Sequence, residues 1–284
     1  MRLRFWGTRG SVPAPGPGTT RYGGNTSCVE VVTDDPSRAV VLDAGSGIRV
    51  LGDALPANLV RVDVLLTHLH MDHIIGLGFF APLFRPDVEV HVWGPSSTTQ
   101  SLGLRLSRYL SPPLFPVRVR DLPNLELHDL GFDRFELPGL SVQADLVTHP
   151  GPTVGYRLDD GHVTVAYLPD HEPALGTNHF PDRPEWTSGY ALAASADVLI
   201  HDAQYAASEY PGHVGWGHSS IEHALEFAAL ARVGTLVPFH HDPAHDDDTL
   251  DAIYAATARE LPFDLVPARE GETLDVVRRA RLSA

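Results

Sequence analysis

Apolar residues along the chain fall mainly into short runs that are β-branched or alternate with polar residues, a pattern typical of strands. Helical spacing of apolar residues, at intervals of three and four, is less frequent. The pattern predicts strands at residues 3–6, 28–33, 39–42, 62–67, 88–93, 135–137, 140–148, 154–158, 163–168, 198–201 and 235–239, and helices at residues 96–109, 219–231 and 247–260.

The clearest of the predicted helices begins in the segment GHSSIE. Ser219 followed three residues later by Glu222 has the pattern of a capping box, in which the serine accepts a backbone hydrogen bond and the acid reaches back. We therefore expect Ser219 to be the N-cap residue. His218 then lies on an exposed loop just before the first turn.

Nothing in the sequence divides the chain. It has 284 residues, with 43% hydrophobic and 20% charged residues, which is ordinary globular composition. It shows no repeat and no low-complexity linker, so a single domain over residues 1–284 is expected. The N-terminus has no apolar leader segment, and the most apolar run, residues 74–84, is shorter than the ~20 residues that cross a bilayer. A cytoplasmic protein without a membrane partner is predicted.

Charge and residue usage exclude several kinds of chemistry. The 21 basic residues are all arginine, so no lysine is available for a Schiff base or for the phosphate-binding loop of an NTPase. The single cysteine, Cys28, cannot form an internal disulfide or a CxxC pair. A formal net charge of −15 opposes binding of a long polyanion. A metal site, if present, must be built from histidine and carboxylate.

A group of histidine and aspartate residues follows the predicted strand at residues 62–67. The segment THLHMDHIIG places His68, His70, Asp72 and His73 within six residues. On an extended backbone His68 and His70 point to the same side, and the turn that follows returns Asp72 and His73 toward them from a helix start. The spacing predicts a chelating cluster that supplies ligands to two adjacent ions.

This HxHxDH motif at a strand end resembles the signature of the metallo-β-lactamase-fold hydrolases, and LDAGSGI, THPG, YLPD, LIHDAQY, GHSS and VPFHH follow the family's landmarks in order. The resemblance implies an α/β (α+β) fold, the four-layer αββα sandwich. It makes His149 the third ligand of the first ion, Asp170 the bridging carboxylate and His240 the last ligand of the second. Asp202 competes with Asp170, and His241 competes with His240.

The implied cofactor is a pair of divalent metal ions. Histidine-rich sites with few carboxylates suit Zn²⁺ first and Mn²⁺ second. Two such ions can share a bridging hydroxide that attacks a phosphoryl group, so the protein need not supply a nucleophile. Asp72 is a ligand of the second ion and is counted among the catalytic residues. Asp43, in LDAG, is expected to orient a ligand histidine rather than to bind metal.

The later motifs resemble the phosphodiesterase branch of this family, which includes the tRNase Z-like enzymes and the phosphoribosyl cyclic phosphodiesterases. His218 would then stabilise the leaving oxygen, and Asp202 would fix the tautomer of His218. The tRNase Z enzymes carry an RNA-binding arm between the third-ligand histidine and the bridging aspartate. Only 20 residues separate His149 from Asp170 here, enough for two strands and the hairpin DDGH.

The predicted substrate is therefore a small phosphodiester, a cyclic nucleotide or sugar phosphodiester, rather than a long nucleic acid. Two alternatives stay open from the sequence. The same ions would serve a lactonase or thioesterase, which would not need His218. A non-catalytic metal-binding protein similar to those of PQQ biosynthesis is the other. A homodimer is compatible with the sequence, which carries no direct signal for oligomeric state.

Overall fold

The computed structural model describes residues 1–131, 134–175, 180–257 and 260–278, and these form two compact units. The N-terminal unit comprises residues 2–131 and 269–273, and the C-terminal unit comprises residue 1 together with the described residues within 134–268 and 274–278. That the whole chain acts as a single hydrolase domain stays a prediction.

A mixed sheet forms the framework of the N-terminal unit. Its strand order is β14-β1-β2-β3-β4-β5-β6; β1, β2 and β3 pair antiparallel, and β3 to β6 run parallel. The strands are β1 (Arg2–Gly7), β2 (Cys28–Val32), β3 (Arg38–Leu42), β4 (Arg61–Leu65), β5 (Glu89–Pro95), β6 (Leu125–Leu130) and β14 (Thr273–Asp275), and the α-helices are α1 (Gly47–Ala54), α2 (Met71–Ile74) and α3 (Leu102–Leu106).

The C-terminal unit contains a second mixed sheet. Its strand order is β13-β12-β11-β10-β9-β8-β7; β7 to β10 pair antiparallel, and β10 to β13 run parallel. The strands are β7 (Arg134–Leu137), β8 (Leu140–Leu146), β9 (Val154–Asp159), β10 (Thr164–Leu168), β11 (Val198–Asp202), β12 (Thr235–Phe239) and β13 (Asp264–Leu265), and the α-helices are α4 (Tyr190–Ala193), α5 (Ile221–Ala231) and α6 (Asp247–Ala256).

Each sheet has a helix-covered apolar face. In the N-terminal unit the buried valines of β4 and β5, such as Val64 and Val92, share one hydrophobic cluster with Ile48 and Leu51 of α1. In the C-terminal unit the corresponding cluster joins β10, β11 and β12 to α4 and α5. Parallel strands that are covered in this way present their carboxyl ends at one edge, where loops carry the polar residues.

The eleven strands predicted from the sequence are all present, and the hairpin predicted between β9 and β10 is confirmed by the pairing of Asp159 with Thr164. β6, α1 and α4 were not predicted. The helix expected over residues 96–109 is reduced to α3, because the hydroxyl of Ser101 accepts the backbone N–H of Leu104 and starts the helix there. In the described part of the chain, no helix is long and apolar enough to span a membrane.

The start of α5 differs from the predicted capping box by one residue. Ser220, not Ser219, is the N-cap residue, and its hydroxyl accepts the N–H of His223. Ser219 is instead held in the preceding loop, where its hydroxyl donates to the carbonyl of His171. The local pattern favours Ser219, which has Glu222 three residues later, but the distant contacts of Ser219 with His171 and Asp202 hold it outside the helix.

The α5 helix provides a test of the C-terminal core. Phe227 is fully buried in its cluster, whereas Glu226 of the same helix is exposed. We expect Phe227→Ala to lower the free energy of unfolding by about 3–5 kcal/mol, the usual cost of removing a buried ring. Glu226→Ala should change it by less than ~0.5 kcal/mol. Urea denaturation of both variants measures the difference, and equal small effects would contradict the assigned packing.

Candidate metal centre

The HxHxDH motif of the N-terminal unit lies between a buried strand and a short helix. β4 ends at Leu65 and α2 begins at Met71, so the first two histidines belong to the connecting loop and the other two residues to the helix. His68, Asp72 and His73 are buried, and His70 is exposed. The ring centroid of His68 lies 4.4 Å from that of His70 and 4.2 Å from that of His73. The motif forms the compact cluster that the spacing predicts.

Asp43 orients this cluster from the end of β3. Its carboxylate accepts the backbone N–H of Thr67 at 2.7 Å and contacts Nδ1 of His73 at 2.9 Å. With Nδ1 on Asp43, Nε2 of His73 faces Asp72, whose Oδ2 is 3.3 Å away. Oδ2 of Asp72 also accepts the backbone N–H of Ser11 at 2.8 Å. A carboxylate on one ring nitrogen fixes the tautomer that presents the other nitrogen as a ligand.

In the C-terminal unit a second group of side chains collects around Asp170. His149 follows β8, Asp170 follows β10 and His240 follows β12. The Asp170 carboxylate lies 3.7 Å from Nε2 of His149 and 3.3 Å from Nε2 of His240. All three side chains are buried. These are the three residues that the family resemblance implies as ligands, and this unit brings them together.

The second ring nitrogens of this group are also bonded. Nδ1 of His149 donates to the carbonyl of Gly217 at 2.8 Å, and Nδ1 of His240 lies 3.1 Å from Oε1 of Gln204. Gly217 has a φ of +89°, and a Cβ there would lie 2.5 Å from Nδ1 of His149. A side chain at this position would therefore displace His149. The glycine is required both by its backbone conformation and by this close approach.

The two histidines after β12 have different surroundings. Nε2 of His241 lies 2.9 Å from the carbonyl of Ala268, and its Nδ1 lies 3.1 Å from the hydroxyl of Tyr254. Both ring nitrogens of His241 thus contact oxygens of the surrounding structure. His240 instead directs Nε2 toward Asp170. The contacts favour His240 over His241 as the metal ligand.

His218 and Asp202 form a tight pair beside this group. Oδ2 of Asp202 lies 2.6 Å from Nδ1 of His218, and the carboxylate also accepts the backbone N–H groups of Gln204, Ser219 and His171. His218 lies on a loop, as predicted, but its side chain is only 12% exposed. Its ring stacks on His240 with the centroids 4.9 Å apart.

The Asp202 carboxylate therefore bonds His218 and three backbone N–H groups. These contacts favour Asp170 over Asp202 as the candidate bridging carboxylate. The ligand atoms of His149, Asp170 and His218 also lie within 4.8 Å of one another. His218 is close enough to this group to act on whatever the group binds.

Glu172 contributes to the site and was not identified from the sequence. It is fully buried, and its carboxylate accepts the N–H of Gly215 at 2.9 Å, the N–H of Gly217 at 2.8 Å and the hydroxyl of Tyr210 at 2.6 Å. Burial and this last bond raise the pKa of the Tyr210 hydroxyl. Glu172 thus holds the loop that carries Gly217 and His218. Its partners lie about 40 residues away along the chain, so no local pattern marks its role.

Two further histidines near Asp170 are buried and contact each other. His171 and His201 are fully buried, and Nδ1 of His171 lies 2.9 Å from Nε2 of His201. Burial lowers the pKa of both, that of His201 to about 4.

The single cysteine, Cys28, is also buried. Burial raises the pKa of its thiol, and the nearby Asp43 carboxylate raises it further. Because the thiolate is the reactive form of cysteine, this environment disfavours Cys28 as a nucleophile.

Comparison with known proteins identifies the class. Residues 38–241 match the family described as Beta-lactamase superfamily domain, and the chain belongs to this family. Groups of histidine and carboxylate side chains that could hold a metal ion, such as His149, Asp170 and His218, agree with the divalent ions that this fold implies. The predicted family and its α/β fold class are therefore confirmed.

Individual relatives share less than a third of their aligned residues with this chain. Ribonuclease Z of Mycobacterium sp. (strain KMS) is 28% identical over 225 residues, covering 72% of this chain and 74% of the relative. Among solved structures, the metallo-beta-lactamase fold protein YhfI from Bacillus subtilis has a TM-score of 0.71 at 19% identity, covering 96% of this chain and 99% of YhfI. The short form of human tRNase Z has a TM-score of 0.67 at 19% identity, covering 98% and 100%.

Asp43 offers a test of the N-terminal cluster without metal. Asparagine tolerates the positive φ of 59° at this position, but its single oxygen cannot accept both from Thr67 and from His73. We expect Asp43→Asn to lower the free energy of unfolding of the metal-free protein by about 1–3 kcal/mol. Asp53→Asn, at the exposed end of α1, should change it by less than ~0.5 kcal/mol. Denaturation in a chelating buffer measures both, and equal stability of the two variants would contradict the role of Asp43.

Proposed function

We propose that the chain is a dinuclear metal-dependent phosphodiesterase that hydrolyses a small, cyclic nucleotide or sugar phosphodiester. The class of enzyme, a metal-dependent hydrolase of phosphodiester bonds, is supported by membership of the superfamily and by curated relatives named Ribonuclease Z. The observation that carries the finer proposal is the Asp202–His218 pair beside the Asp170 group. Such a pair can protonate the leaving group, which accelerates the reaction when the group that leaves phosphorus is an alkoxide.

The proposed metal ligands are those that the motif spacing and the family resemblance imply. In this assignment His68, His70 and His149 would hold the first ion, Asp72, His73 and His240 would hold the second, and Asp170 would be shared by the two. The donor set fits the group: imidazole and carboxylate donors suit Zn²⁺, with Mn²⁺ as the second choice. The fixed tautomers support it further, because Asp43, Gly217 and Gln204 contact the ring nitrogens turned away from the proposed ions.

When bound, two such ions supply an activated water and neutralise charge on the phosphoryl oxygens. The chain's own residues must then protonate the leaving group. With Nδ1 of His218 on Asp202, the proton that His218 can give is carried on Nε2. The negative charge of Asp202 stabilises the protonated imidazole, and its three backbone N–H donors keep the carboxylate in place. His218 is assigned as general acid and Asp202 as its positioning residue.

Substrate size is argued from the segment between His149 and Asp170. β9, β10 and the turn between them occupy it, and Asp160 closes that turn by accepting the N–H groups of His162 and Val163. An RNA-binding arm has no place in so short a hairpin. The formal net charge of −15 also opposes a polyanionic substrate. These two features favour a small substrate over the RNA that the names of the curated relatives suggest.

Asp170 tests the ligand assignment. We expect Asp170→Ala to bind at least one zinc ion fewer per chain than the wild type and to lose phosphodiesterase activity by more than ~100-fold, beyond the usual effect of losing an outer hydrogen-bond partner. Asp197→Ala is the control, because the Asp197 carboxylate accepts from the backbone and the hydroxyl of Thr164, the first residue of β10, and its loss should affect folding alone. Metal analysis after dialysis measures the content, and unchanged zinc in Asp170→Ala would contradict the assignment.

Substrate choice is tested with one panel of compounds. The zinc-loaded chain should turn over bis-p-nitrophenyl phosphate and cyclic nucleotides. It should leave precursor tRNA intact, because the β9–β10 hairpin is too short to form an RNA-binding arm. A lactone and a thioester in the same panel test the other hydrolase alternatives. Efficient trimming of the tRNA, without turnover of the small phosphodiesters, would exclude the small-substrate proposal. Turnover of the lactone or thioester alone would exclude phosphodiester chemistry.

His218 is tested through the leaving group. We expect His218→Ala to lower kcat by about 10²–10⁴-fold on an ester with a poor leaving group and much less on a p-nitrophenyl ester, because p-nitrophenolate departs without a proton. Zinc content should be unchanged. His162→Ala, which removes an exposed histidine from the β9–β10 turn, is the control. Equal losses on both esters would contradict the role as general acid, and lost zinc would make His218 a ligand.

A further inference from the structure

A third group of histidine and carboxylate side chains lies on the N-terminal unit, and it shares no residue with the proposed hydrolytic centre. His91 belongs to β5, and Glu126 and His128 belong to β6. These two strands run parallel with His91 opposite Glu126 and Trp93 opposite His128. Because side chains alternate along a strand, His91, Glu126 and His128 share one face of the sheet, opposite the apolar Val90 and Val92. We call the first three residues the His91 cluster.

The donor atoms of the His91 cluster converge on one point. Nδ1 of His91 lies 2.9 Å from Nε2 of His128 and 3.5 Å from Oε2 of Glu126. The same Glu126 oxygen lies 3.9 Å from Nε2 of His128. Ligands bound tetrahedrally to zinc, at about 2.0–2.2 Å, lie about 3.3–3.5 Å from one another. Small rotations of these side chains would therefore place all three at bonding distance from a single ion.

Neighbouring side chains orient the two imidazoles. Oε2 of Glu89 lies 3.8 Å from Nε2 of His91, behind the nitrogen that faces the cluster. The ring of Trp93 stacks on His128 with 3.8 Å between centroids, and its Nε1 donates to Asp63 at 3.0 Å. Asp63 is in turn held by Arg61 through two bonds. A carboxylate behind one ligand histidine and a stacked ring against the other resemble the outer shell of a built metal site.

The charge and accessibility of the cluster favour a cation. Among the described residues, three carboxylates, from Glu89, Glu126 and Asp63, lie around the histidine pair, and the guanidinium of Arg61 is bonded to one of them, Asp63. Glu126 is 68% exposed, which leaves a path from solvent to the cluster.

We propose that His91, Glu126 and His128 bind a divalent transition-metal ion, with zinc as the ion that two imidazoles and one carboxylate fit best and water as its fourth ligand. β6 pairs only with β5 and forms one edge of its sheet. An ion held by both strands would tie that edge strand to its neighbour. The consequence is structural: the metal would stabilise the N-terminal unit without entering the hydrolytic reaction.

The test compares zinc binding by the full chain and its variants. After equilibrium dialysis against buffered free Zn²⁺, Glu126→Gln and the double variant His91→Ala/His128→Ala should each hold one zinc ion fewer than the wild type. His162→Ala should hold as many as the wild type. Glu126→Gln keeps the contact between the two histidines, so its loss of zinc separates metal binding from a simple hydrogen-bonded pair. Zinc content in both cluster variants equal to that of the wild type overturns the proposal.

Two further readouts keep the result independent of folding and of the proposed hydrolase activity. The wild type should melt at a higher Tm with Zn²⁺ than in chelator, and Glu126→Gln should lose part of that increase while its Tm in chelator is unchanged. Turnover of bis-p-nitrophenyl phosphate by Glu126→Gln should equal that of the wild type. A zinc-dependent increase in Tm that is identical in both proteins counts against the site.

Discussion

Burial of imidazoles and carboxylates at strand ends is the constraint on which the candidate centre depends. Each such group is costly to remove from water unless its polar atoms find partners. In the N-terminal unit Asp43 meets this requirement for His73 and Thr67. In the C-terminal unit the carbonyl of Gly217 and the side chain of Gln204 do so for His149 and His240. The partner on one ring nitrogen leaves the other nitrogen directed at a carboxylate of the same unit, Asp72 for His73 and Asp170 for His149 and His240.

The same constraint explains why these residues follow parallel strands. Strands that run parallel end at one edge of a sheet, and the loops that leave them are brought together without strain. Asp43 follows β3 and His68 follows β4, while Asp170, Asp202 and His240 lie at the ends of β10, β11 and β12. Thus the helix-covered sheets determine where ligands gather, and the loop residues determine which atoms they present.

Sequence reasoning predicted those parts of the molecule that are marked locally. The HxHxDH spacing and the apolar runs required no knowledge of distant contacts, and the predicted strands followed from them. Glu172 was missed because its partners, Tyr210 and Gly217, lie far along the chain. The prediction of Ser219 as the N-cap residue was wrong for the same reason, because its hydroxyl bonds the distant carbonyl of His171. His91 and His128 are 37 residues apart and meet only through strand register.

The four ligands of the HxHxDH motif were predicted from spacing, whereas His149, Asp170 and His240 were assigned from resemblance to the family. What the fold adds is the direction of each ring: His241 turns toward Ala268 and Tyr254, and His240 turns toward Asp170. The sequence favoured His240 only because it is nearer the end of the strand. Orientation of this kind depends on the loop backbone, including the positive φ of 60° at His240, which no local pattern predicted.

The central claim is that the proposed histidine and aspartate ligands hold a pair of divalent ions. Anomalous diffraction at the zinc absorption edge, from crystals of the zinc-loaded chain, tests it most directly. The account predicts two peaks about 3.5–4 Å apart, with Asp170 bound to both. One of them should be bound by His68 and the other by His73. A single peak, or peaks away from these residues, would contradict it.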